Sequence, residues 1–117
     1  MEDSILDTIK IKIGGYMEDD DSFDEDLVTH INTALSILTQ IGVGPADGFM
    51  ITGDTETWAQ LLGPHTKPAK LQMVKDFVWL QVKMLFDPPQ IGGVLTAYQQ
   101  QLDMLTWRLN VAVDPGE

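Results

Sequence analysis

The densest run of chemistry-bearing side chains in the sequence is Glu18-Asp19-Asp20-Asp21-Ser22-Phe23-Asp24-Glu25-Asp26. Clustered carboxylates supply the oxygen ligands that a hard cation such as Ca²⁺ takes. The helix–loop–helix calcium loop also needs a central glycine and a distal bidentate glutamate at fixed offsets. Here the residue that follows Asp19-Asp20-Asp21-Ser22-Phe23 is Asp24, so the pattern fails. The acids suit a helix N-terminus instead, where the macrodipole favours negative charge. The two histidines, His30 and His65, are isolated, whereas zinc wants three or four convergent ligands. Ser4, Ser22 and Ser36 lie in no strand–turn–helix elbow, and no cysteine is present to act as a nucleophile. Gly14-Gly15 and Gly92-Gly93 lack the spacing and the lysine of a phosphate loop. The many carboxylates have no apolar pocket around them to tune an acid–base pair. No catalytic residue, metal ligand or cofactor is assigned, and the expectation is a protein without enzymatic activity.

The elements that hold these residues read as helices. Asp3 or Ser4 caps a short helix carrying Ile5, Leu6, Ile9 and Ile13, which Gly14-Gly15 should end. Ser22 with Glu25 forms a capping box, or Asp24 serves as the cap, for a second helix from about Asp24 to Ile41. Leu27, Ile31, Ala34, Leu38 and Ile41 step by fours and threes along it, and Leu35 and Ile37 widen the face. Gly42 and Gly44-Pro45 stop it. Gly48-Phe49-Met50-Ile51 is a candidate extended piece. Asp54 or Thr55 is expected to cap a brief helix with Trp58, Leu61 and Leu62. A third long helix starts near Lys67 or Pro68 and runs to about Phe86. Its two stripes, Leu71-Val74-Val78-Leu85 and Met73-Phe77-Leu80-Met84, imply packing on more than one side. Asp87-Pro88-Pro89 ends it. The last helix spans about Ile91 to Ala112, with Leu95, Tyr98, Leu102, Leu105 and Leu109 inward. The expected fold is all-α: a compact single domain over 1–117 of two to three long antiparallel helices plus short ones, with an acidic segment at 18–26 and a short tail at 111–117.

Composition narrows the partners. The chain has 117 residues, no cysteine and a formal charge of −11 from 18 acidic and 7 basic residues. Affinity for nucleic acid comes largely from lysine and arginine on phosphates, so duplex binding is disfavoured, as is adsorption to anionic membranes. Solubility or a basic partner surface is favoured. The start lacks a signal-peptide pattern and no stretch reaches membrane-spanning length, so a cytosolic chain is expected.

Two features point to contacts. Asp87-Pro88-Pro89 is a rigid junction between two long helices, and also a plain helix stop. Trp107-Arg108 interrupts the inward positions Leu105 and Leu109 with the residue types that most often anchor interfaces. An ordinary partly buried tryptophan gives the same local sequence.

Several segments, in order, resemble the small head–tail connector (adaptor) proteins of tailed bacteriophages. They are Asp26 to Ala34, including His30-Ile31-Asn32; then Leu38-Thr39-Gln40-Ile41-Gly42-Val43-Gly44; then Trp58 to Gly63. Val74 to Pro89 and Leu105-Thr106-Trp107-Arg108-Leu109-Asn110 complete the set, which covers nearly the whole chain. The heavy acidic run and the short segment after Asn110 depart from that pattern, and the second weakens any expectation of a C-terminal portal contact. The resemblance implies a structural virion protein at the head–tail junction, in the host cytoplasm before assembly. Its implied partners are the portal protein, a downstream tail or stopper protein, and itself, as a ring that is commonly dodecameric. DNA passes through such a ring without specific binding, and no membrane is involved. On this reading Asp87, Pro88, Pro89, Trp107 and Arg108 are interface candidates. Glu18, Asp19, Asp20, Asp21, Asp24, Glu25 and Asp26 are candidates to face the lumen or the portal. A different reading of the same charge is an acidic regulator that binds a basic partner, in the manner of a DNA mimic.

Overall fold

The computed structural model describes residues 4–13, 23–86 and 92–112, the last three of these by backbone alone. Five helices form among them: α1 (Ile5–Ile13), α2 (Asp24–Ile41), α3 (Trp58–Leu62), α4 (Pro68–Phe86) and α5 (Gly92–Ala112). No strand forms among the described residues. Gly48 to Ile51, expected as an extended piece, is irregular, and Ser4 and Thr57 make an isolated antiparallel bridge. Beside that bridge Ile5 N–H donates to the Glu56 carbonyl at 3.0 Å, tying the start of α1 to the segment before α3.

The core follows the apolar spacing. Leu27, Ile31, Ala34, Leu35 and Leu38 of α2 are buried. So are Val74, Phe77, Val78, Leu80 and Val82 of α4, which packs against α1, α2 and α5 and is the central helix. Leu85, placed by its spacing in an inward stripe, is exposed, and Val82 takes the buried position on that turn. Trp58 is buried with its indole N–H donating to Thr8 Oγ1 at 3.1 Å, so α3 is pinned onto α1. Trp79 lies edge-on to Tyr98, with ring centroids 5.9 Å apart, and joins α4 to α5. Among the described residues no helix is long and apolar enough to cross a membrane.

The helix ends correct two expectations. Phe23, not Ser22 or Asp24, occupies the N-cap of α2, and its side chain makes no capping bond. Its ring instead meets Phe86 edge-on at 5.5 Å, and Asp24 is drawn to a lysine, so packing outweighs capping there. Thr57, not Asp54 or Thr55, caps α3: its hydroxyl accepts from Gln60 N–H while the Gln60 side chain accepts from Thr57 N–H. Ser4 caps α1 as expected, accepting from Asp7 N–H at 3.2 Å. Gly42 ends α2 in the left-handed region, φ 107°, and Val43 N–H reaches back to Leu38 O. Gly44 is fixed by both conformation and space. Its φ is +88°, and a Cβ there would sit 2.9 Å from Leu61 Cδ1.

Candidate functional site

The acidic end of α2 is divided by burial. Asp24 is half-buried, with Lys10 Nζ 2.9 Å from its Oδ1, while the Lys10 side chain is only 5% exposed. That oxygen makes no aligned hydrogen bond, so the attraction is ionic. Removing Asp24 takes a close counter-charge from the buried Lys10 and should destabilise the fold. Asp24 thus fastens α2 to α1, and Glu25 and Asp26 are the exposed acids of that turn. Glu18, Asp19, Asp20 and Asp21 lie outside the described residues.

Phe86 brings the two candidate regions toward one end of the molecule. Its ring contacts Phe23 and, at 6.3 Å, the imidazole of His30. Phe23 precedes Asp24 in the chain and Phe86 precedes Asp87, so the end of α4 is packed against the acidic start of α2. Asp87, Pro88 and Pro89 themselves lie outside the described residues. Trp107 and Arg108 are not gathered there. They sit roughly 22 Å along the axis of α5 from Gly92, at a rise of about 1.5 Å per residue. Both are exposed, and Trp107 is 66% accessible. The three tryptophans therefore have separate tasks: Trp58 is core, Trp79 is half-buried between helices, and Trp107 faces out.

An open groove of about 940 Å³ runs between α2 and the 47–50 segment. Thr29, Asn32, Thr33, Ile37, Gln40 and Phe49 are among its lining residues. Asn32 shapes it. Its Oδ1 accepts from Ile51 N–H at 2.8 Å and its Nδ2 donates to Ile51 O at 3.0 Å, so one side chain satisfies both backbone groups of a buried loop residue. The groove offers neutral hydroxyls and amides beside apolar carbon, with Asp47 as its ionisable group. Such a lining can hold a polypeptide surface but supplies no nucleophile–base pair. Among the described residues no three or more His or acidic side chains converge as a metal site.

Among the described residues, Glu56 in the loop before α3 is the carboxyl whose pKa departs clearly from its ordinary value. Partial burial acts to raise the pKa of Glu56. Hydrogen bonds from the Thr52 hydroxyl and from the backbone N–H groups of Glu56, Thr52 and Gly53 outweigh it and hold the group below its ordinary value. This is a structural staple on the surface rather than an acid poised for proton transfer.

Spacing missed several residues that matter. Asn32 and Lys10 act on partners far along the chain, at Ile51 and Asp24. Met50 and Met104, 69% and 45% exposed, add apolar surface that a solvated loop or a core-facing helix did not suggest.

A family model described as phage connector protein matches residues 5–116. Comparison with curated proteins finds no match, and comparison with solved structures finds none either. The match spans all five helices, and with it the chain belongs to the phage connector protein family.

Proposed function

We propose that this chain is a structural connector that assembles as a ring beneath the portal and carries the DNA exit channel on toward the tail. The observation that carries the reading is the family match over residues 5–116. The family implies a structural virion component that associates with portal and tail proteins in general. The ring and the channel are the finer content of the proposal.

The charge supports it. A protein along a DNA conduit should not hold phosphates, and this one has 18 acidic side chains against 7 basic ones, of which Lys10 is buried. Lys10 is paired with Asp24, Lys12 lies over the Trp79 ring at 5.8 Å, and Lys75 lies over the Trp58 ring at 5.9 Å. The acids of the 18–26 run, Asp24 aside, then face the lumen or a basic portal surface.

Light-scattering mass of the purified chain, alone and mixed with portal protein, tests the proposal. The expected result is a ring-sized species or stoichiometric addition to the portal ring. A chain that leaves the portal unchanged at every ratio, and captures a basic protein instead, moves the regulator reading ahead of it.

A further inference from the structure

The groove on α2 opens away from the rest of the protomer. Thr29, Thr33, Ser36 and Gln40 line it, and each stands two positions after a buried residue of the same helix, Leu27, Ile31, Ala34 or Leu38. Two positions are about 200° round a helix, so the groove and the core that α4 centres lie on opposite sides of α2. Ile37 and Phe49, both half-buried, give the groove apolar surface, and Asp47 is exposed in its lining. Glu25 and Asp26 stand one turn before Thr29, whose hydroxyl donates to the Glu25 carbonyl at 3.1 Å. No lysine or arginine occurs between Lys12 and Lys67 to offset these acids.

The same chain presents the complementary surface at the start of α4. Pro64, His65, Lys67, Pro68 and Ala69 are exposed and Lys70 is half-buried, and no acid falls between Thr57 and Lys75. The two prolines fix φ, and the Thr66 hydroxyl reaches the Leu62 and Gly63 carbonyls at 2.8 and 3.2 Å. The segment is therefore ordered before it meets anything, and docking it costs little entropy. Its lysines gain little from their own helix. The first turn of α4 holds no acid, and a helix N-terminus disfavours cations. An acidic surface on a neighbour offsets that.

We propose that the groove takes the 64–70 segment of a second copy, with that copy's Lys67 beside Asp47 and its prolines against Phe49 and Ile37. Proline-bearing segments seat on aromatic-lined grooves in this manner. The charges set acid against base, where two copies at −11 otherwise repel. The surfaces are unlike and lie on opposite sides of α2, so the contact is head to tail, the kind that closes as a ring or runs on as a filament. It names the contact between neighbours in the ring proposed above and rests on that reading for closure.

The chain has no cysteine, so introduced thiols report cleanly. Full-length Thr33→Cys, in the groove, and Ala69→Cys, on the segment, are mixed and mildly oxidised, alone and with portal protein; both positions are exposed. The mixed disulfide is expected in excess over either self-linked dimer. Thr33→Cys with Gln99→Cys, exposed on α5, should give no such excess. Asp47→Lys in the first chain, or Lys67→Glu in the second, should each lower the yield about tenfold, and the two together should restore it. A yield no better than the Gln99→Cys control, with and without portal, overturns the proposal, as does a charge swap that restores nothing. A photo-cross-linker on Thr33→Cys that captures portal protein instead of a second copy overturns it too, and gives the groove to the portal. The ring is judged separately. A ring-sized mass without the mixed disulfide keeps the ring and discards this contact, whereas the disulfide without a ring-sized mass keeps the contact and leaves an open chain.

Discussion

Asn32 shows how much one polar side chain on a helix can decide. It sits beside the buried stripe of α2 and holds the backbone of Ile51, a residue only 1% exposed, by two hydrogen bonds. In a sheet that work would fall to a neighbouring strand; here an amide does it, and the 47–50 side of the groove follows from where Ile51 is held. Asn32→Ala leaves a donor and an acceptor of a buried residue unsatisfied, which costs about 2 kcal/mol. For a chain of this length that lowers Tm by about 8 °C. Thermal melting checks it, and an unchanged Tm would show that the pair contributes nothing. Asn32 was visible in the sequence only as part of a motif. Helical spacing records which residues face inward, but not that an amide reaches a loop 19 positions further on. Lys10 teaches the same lesson with charge: a lysine near the end of an amphipathic helix reads as solvated, yet it is buried against Asp24.

Helices were legible where apolar spacing was strong, and their ends less so. The expected bounds of the second and third long helices, and the breadth of the apolar face on α4, agree with the structure because burial dominates those segments. Caps are decided by a few local bonds, and there two rules competed. Asp54 and Thr55 are good caps by type, but Glu56 gathers the N–H groups of Thr52 and Gly53 and tightens that stretch into a bend. The cap then falls to Thr57, whose partner Gln60 stands at the three-residue offset of a capping box. Because the Glu56 pKa is lowered, the carboxylate stabilises the fold above its ordinary value near 4.5, and that stabilisation fades as pH falls through the depressed value. Glu56→Gln should therefore lower Tm at neutral pH, and the gap from the parent chain should close in acid below that range. Melts of both chains across pH check this; a gap that stays constant would assign the effect to shape rather than charge. On α5 the difficulty was different. The inward row was plain and Trp107 with Arg108 stood out as interface candidates, whereas the exposure of Met104 left no mark in the spacing.

At the scale of the whole molecule, Lys10 is the buried charge among the described residues, and acids outnumber bases 18 to 7. At the start of α2, Asp24 serves the fold through Lys10, whereas Glu25 and Asp26 are exposed. Family membership was legible because it is spread over ordered segments that the fold needs. The contact surfaces were not, because a partner's shape leaves no period in the sequence of the chain it meets. If the acids keep DNA moving, they must act through the long-range field they create, and several must be removed together before it changes. Replacing Glu18, Asp19, Asp20, Asp21, Glu25 and Asp26 by their amides, and keeping Asp24 for Lys10, moves the formal charge from −11 to −5. The fold should survive, since the ion pair is untouched. DNA retention by the assembled connector should rise at low salt and return to the parent level at high salt, because screening removes the same repulsion in both chains. Weaker docking with unchanged retention would instead direct the acids toward the portal. Retention and docking that both match the parent chain would reduce the acidic run to a solvated helix start.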